Sequence, residues 1–124
     1  MTAVAPDTRT EQESRGRTVI AERVVERIAT RAAAEPGPVT GPGGGLPGLR
    51  GSAVRPRVTA SVRGRVATVR VALGVTYPAP VRTITRRVRE QVRNRVREMT
   101  GIDVRQVDIA VARLPEENDR RRVR

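Results

Sequence analysis

Seven arginines fall between Val81 and Gly101, against two glutamates, Glu90 and Glu98. A guanidinium is planar, permanently charged, and carries its donors in a fork that matches carboxylate and phosphate oxygens. The chemistry on offer is therefore anion recognition, and the residues placed to perform it are Arg82, Arg86, Arg89, Arg93 and Arg97. Bond-breaking chemistry has no comparable equipment. The 124 residues contain neither histidine nor cysteine, which removes imidazole and thiol catalysis, disulfides and the usual zinc sites. Ser61 has no histidine to act as its base. Tyr77 stands where a strand should end and reads as a packing residue. Glu22, Glu26, Glu35, Glu90 and Glu98 stand mostly beside arginines, in segments that read as solvated faces. Asp103 and Asp108, five apart with no third ligand, make a poor cation site. No catalytic residue, metal, cofactor or small-molecule substrate is expected.

Two phosphate-binding patterns occur and neither has its context. Gly43-x-Gly45-x-x-Gly48 lacks a preceding strand, and Pro47 interrupts the helix that should follow. A Walker loop needs a lysine, and all 25 basic residues are arginine. With the many Ala, Val, Gly and Pro residues, this reads as codon bias of a GC-rich genome. Gly48-Leu49-Arg50-Gly51 has the GxxG spacing of KH domains, but there the loop joins two helices and here a strand pattern follows. The net charge of +12 permits non-specific nucleic-acid binding in low salt, the alternative use of the same basic face. Against evolved recognition stands the single aromatic residue, Tyr77, too little for a base-stacking platform.

The arginines are carried by a helix. Val81, Ile84, Val88, Val92, Val96 and Met99 recur at steps of three and four, one apolar stripe. Pro80 suits its start, and Thr100-Gly101 ends it, glycine accepting the left-handed conformation of a helix C-terminus. Val107, Ile109 and Val111 then alternate with Asp108 and Ala110 as a strand with one buried face. Upstream, Val58, Ala60 and Val62, a turn at Gly64, and Val69, Val71, Leu73 and Val75 form a hairpin. Gly74 marks a bulge or a close approach. Before the hairpin, Pro36 to Gly51 holds seven glycines and four prolines and reads as a loop, with room for a short strand at its margin. A first helix buries Val24, Val25, Ile28, Ala29 and Ala32 and stops before Pro36, preceded by a short strand at Thr18 to Ile20. Residues 1–15 lack apolar periodicity and are expected to be disordered, as is the charged tail 115–124. The whole is one α+β domain over residues 16–114 with a Gly/Pro-rich loop at 36–52. A small, mostly antiparallel sheet of three to four strands carries two helices on one face. No apolar run reaches membrane-spanning length and the start of the chain lacks a signal pattern. A cytoplasmic position, free or peripheral at the inner face of the membrane, is expected.

Taken together, Gly16, Val19-Ile20, Val24-Val25, Ile28-Ala29, the break at Pro36 to Val39, the alternation Val69 to Val75 ending in Tyr77, the stripe Val81 to Met99, and Met99-Thr100-Gly101-Ile102-x-Val104-x-x-Val107-x-Ile109-x-Val111 resemble the alkaline shock protein family of envelope stress response proteins. The likeness covers residues 16–112. Its most specific part is the Met-Thr-Gly-Ile turn with the valines that follow. The family usually caps its first helix with Ser followed by Pro, where Ala21 and Glu22 stand here, and has Gly after the strand-ending Tyr, where this chain has Pro78. The resemblance implies a non-enzymatic cytoplasmic protein of Gram-positive bacteria that acts in envelope or alkaline stress. Such proteins are often held at the membrane by a separate small membrane-anchored protein. An acidic partner or an anionic membrane surface would suit the basic helix, and the modest aliphatic core leaves room for self-association.

Overall fold

The computed structural model describes residues 8–42 and 55–114. In chain order the elements are α1 (Thr8–Ala34), β1 (Val39–Thr40), β2 (Arg57–Arg63), β3 (Val66–Thr76), α2 (Val81–Thr100) and β4 (Asp103–Leu114). They form the expected α+β arrangement, a four-stranded sheet with both helices on one face. β3 is its spine. Along one edge β3 pairs antiparallel with β2, Arg63↔Val66 to Arg57↔Ala72, and then with β1 at Val39↔Val75 and Thr40↔Gly74. Along the other edge its whole length pairs with β4 in parallel. Two of the three pairings are thus antiparallel, and the parallel one follows from connectivity, because α2 carries the chain back across the sheet before β4 begins.

Local chemistry explains the joints. Between β2 and β3 lie Gly64 and Arg65, with Gly64 at φ 60 and Arg65 at negative φ, as a II′ hairpin turn requires. Gly101 closes α2 in the left-handed conformation at φ 74, its N–H donating to the Arg97 carbonyl at 2.9 Å. Gly74 is a close approach: a Cβ there would stand 2.5 Å from the Gly41 carbonyl oxygen and 2.8 Å from Leu114 Cδ1. Thr40 Oγ1, 3.3 Å from the Gly74 carbonyl, ties β1 to the same point.

The core is aliphatic throughout. Ala67, Val69, Val71, Leu73 and Val75 of β3 face Ile84, Val88, Val92 and Val96 of α2 and Val25, Ala29, Ala32 and Ala33 of α1. Full burial of each valine contributes about 1.5–3 kcal/mol. α1 lies over the β2 side, α2 over the β4 side, and the helices pack on one another.

Several expectations change at the margins. Residues 1–7, 43–54 and 115–124 lie outside the described residues, and with them the first seven residues of the arm, the loop core and the tail. Residues 8–15 are helical rather than irregular, and the strand expected at Thr18 to Ile20 is absent, since α1 runs unbroken through both. Thr18 Oγ1 donates to the Ser14 carbonyl at 3.0 Å, as within a helix. β-branched residues favour a strand when a neighbouring strand offers a pleated surface, and among the described residues no strand pairs with this segment. Because the helix does not start at Ala21, no cap is missing there. Val24 and Met99, assigned to the buried stripes, are exposed, Met99 by 66%. Val24 is turned about 100° from its buried neighbour Val25, and Met99 follows Val96, the last buried residue of α2.

A basic strip beside an open sheet edge

At about 100° per residue, Arg82, Arg86, Arg89, Arg93 and Arg97 fall within roughly 80° of arc on α2. Ile84, Val88, Val92 and Val96 hold the adjoining side against the sheet, and Arg89 and Arg93 reach β4 from beside them, so the five form one strip along the β4 flank. Arg82, Arg86, Arg93 and Arg97 are exposed, and Arg89 is half-buried. Among the described residues the ion pair is Arg95 with Glu35, 2.9 Å apart and off the strip. Glu90 stands at the border of the strip and is exposed.

Two of the five arginines also serve the fold. Arg93 donates to the Arg105 carbonyl at 3.2 Å and Arg89 Nε to the Val107 carbonyl at 3.5 Å. These carbonyls lie on the free edge of β4, where the sheet has no further strand among the described residues. The register shift between Ala67↔Val104 and Thr68↔Gln106 makes Arg105 the extra residue of a bulge. The other edge is treated in the opposite sense. Glu22 and Glu26, one helical turn apart on α1, accept from the N–H groups of Val62 and Ala60 at 3.0 and 3.1 Å, the outward-pointing donors of β2. Cations thus cover carbonyls at one edge and carboxylates cover donors at the other, both guarding against stray strand pairing. Glu22 and Glu26 read as solvated in the sequence. Their signal was their i, i+4 spacing beside the apolar stripe of α1, which matches alternate donors of a strand.

Where α2 ends, Arg93, Asn94, Arg97, Asp103, Val104 and Arg105 line a shallow open depression of about 400 Å³. Sequence reasoning had not assigned Arg105 or Asn94 to the basic surface, since Arg105 joins it only through the bulge. Asp103 and Asp108 lie five residues apart on one extended strand, roughly 16 Å, too far to share a cation. Asp108 Oδ1 instead accepts from Gln106 Nε2 at 2.9 Å. Tyr77 is 53% exposed rather than packed in the core, with the Arg113 guanidinium 5.7 Å from its ring centre. No helix among the described residues is long and apolar enough to cross a membrane.

A two-helix, four-stranded α+β module with a basic flank defines the class, and sequence comparison supplies the family. The chain belongs to the alkaline shock protein 23 family, described by its cell envelope-related function, whose profile matches residues 10–114. No curated protein matches the sequence. Among solved structures, the zinc form of a MamM CTD variant aligns with a TM-score of 0.43 and 16% identity over 74% of this chain and 85% of that one. A second MamM CTD variant aligns with a TM-score of 0.44 and 17% identity over 74% and 94%. Likeness of that degree says nothing about function.

Proposed function

We propose that the protein is a non-enzymatic interaction module of the envelope stress response that holds an acidic partner on the arginine strip of α2. The carrying observation is the placement of Arg82, Arg86, Arg89, Arg93 and Arg97 on one exposed flank with no salt bridge to any of them among the described residues. A rigid helix presents guanidinium groups at fixed spacing, which favours carboxylates spaced to match and allows bidentate pairing. The partner proposed is a small membrane-anchored protein, and the cell envelope-related function of the family is compatible with a peripheral position at the membrane.

Flotation tests the reading. The purified protein is mixed with neutral vesicles, with vesicles rich in anionic lipid, and with neutral vesicles bearing a membrane-anchored peptide rich in glutamate. Recruitment by the acidic peptide on neutral vesicles is expected. Recruitment by anionic lipid alone makes the membrane surface the ligand, and recruitment by neither removes the strip as a contact surface. A salt titration against DNA and RNA measures the competing use of the same charges.

A further inference from the structure

The edge of β4 is guarded over only half its length. Tyr77 N donates to the Leu114 carbonyl at 2.8 Å, which fixes the phase of the parallel ladder. Gln106, Asp108, Ala110, Ala112 and Leu114 direct their backbone groups toward β3, and Val107, Ile109, Val111 and Arg113 direct theirs outward. The carbonyls of Arg105 and Val107 are covered by Arg93 and Arg89. Beyond them, no hydrogen bond among the described residues reaches the outward N–H or C=O groups of Ile109, Val111 or Arg113. The side chains of Ile109 and Val111 are only half-buried, although they lie on the face that the helices cover.

The strip continues past the guarded half. Because α2 and β4 run in opposite directions, moving from Arg89 to Arg82 along the helix, about 10 Å, parallels moving from Val107 to Ala110 along the strand, also about 10 Å. Arg86 and Arg82 therefore stand beside the open stretch, exposed and, among the described residues, with no carbonyl to donate to. A strand laid there would find backbone partners along residues 109–113. On the helix side its carboxylates would meet the arginines, and on the other side its aliphatic residues would lie beside Ala110 and Ala112.

We infer that the open half of the β4 edge is a strand-addition site for an extended partner segment that alternates acidic and aliphatic residues, with Arg82 and Arg86 reading its carboxylates. This rests on the acidic-partner reading above and adds to it the mode of recognition, main-chain hydrogen bonds for affinity and alternate side chains for selection. Charge complementarity selects this occupant over a second copy of the chain. A symmetric pairing of two β4 edges would bring two arginine strips together on molecules that each carry +12.

The experiment uses the isotope-labelled full chain and two synthetic peptides of equal length and charge, one alternating Val and Glu, the other Pro and Glu. Proline supplies no N–H and cannot build the ladder. The Val/Glu peptide is expected to bind about tenfold more tightly, the scale of one or two net backbone hydrogen bonds. It should slow amide exchange at Ile109, Val111 and Arg113 while leaving Ala110 and Ala112, already bonded to β3, unchanged. Val111→Pro, which removes an outward N–H that the ladder does not use, should reduce Val/Glu binding to the Pro/Glu level; if that variant misfolds, the exchange pattern of the unaltered protein decides. Equal binding of both peptides with exchange at residues 109–113 unchanged overturns the strand-addition site and leaves the arginine strip standing. Binding of neither peptide removes the strip as well. Protection that appears without peptide and grows with protein concentration assigns the edge to a second copy and overturns the inference. So does concentration-independent protection that disappears on removal of residues 115–124, which assigns the edge to the chain's own tail.

Discussion

At the scale of single residues, Gly74 and the pair Glu22 and Glu26 carry more of the fold than their types announce. Gly74→Val would drive a Cβ into the Gly41 carbonyl oxygen, a backbone atom that cannot swing aside. Overpacking of this kind costs about 1–3 kcal/mol. The midpoint of urea unfolding should fall accordingly, and an unchanged midpoint would show that β1 yields freely. Glu26→Ala leaves the Ala60 N–H without its acceptor, a loss of about 1 kcal/mol. Glu26→Gln keeps a carbonyl oxygen in place and should lose less. Amide exchange at Ala60 reads the difference directly, faster in the Ala variant than in the Gln variant. Equal exchange in both would mean that the carboxylate does not guard the edge.

At the scale of elements, α2 and α1 behave differently. α2 buries Val92 fully in the centre of its stripe, so Val92→Ala should destabilise the protein by about 2 kcal/mol, the transfer free energy plus a cavity that the packed sheet cannot close. Among the described residues the first turns of α1 lean on nothing: residues 11–20 are all exposed, Ile20 by 64%. Gly16 sits in that stretch with open space where a Cβ would stand. Gly16→Ala should raise helicity, measured by far-UV circular dichroism, by favouring the helix by roughly 0.5–1 kcal/mol. A fall in helicity would contradict a helix through residue 16. This contrast also explains what the sequence could tell. The extents of α2, β2 and β3 were legible because each has a buried face whose period survives in the residue types, and Gly101 and Gly64 mark stops that few residues but glycine tolerate. The early start of α1 was not, because an exposed helix has no apolar stripe to betray it. The arginine strip was legible as charge on a helical period. Its relation to an open edge was not, because that depends on the parallel register of β4 and a bulge at Arg105, and pairing partners leave no trace in a local pattern.

At the scale of the whole molecule, the net charge of +12 acts twice, in opposite directions. Mutual repulsion among arginines opposes folding, so the melting temperature should rise as salt is added from low ionic strength and level off once the screening length falls to about 10 Å near 0.1 M. Partner binding should weaken over the same range. A melting temperature that falls with added salt would mean that attraction, rather than repulsion, dominates the surface of the fold. The measurement that bears most directly on the account is made on the triple variant Arg82→Glu, Arg86→Glu, Arg97→Glu, which spares Arg89 and Arg93 because those two donate to β4 carbonyls. Its affinity for a fluorescent glutamate-rich peptide is read by anisotropy beside its melting temperature. A fold that melts no lower than before, since the lost arginines relieve repulsion, with binding weakened about tenfold or more, is the result expected of a surface built to hold an acidic partner; an intact fold that binds the peptide as tightly as the unaltered protein would contradict it.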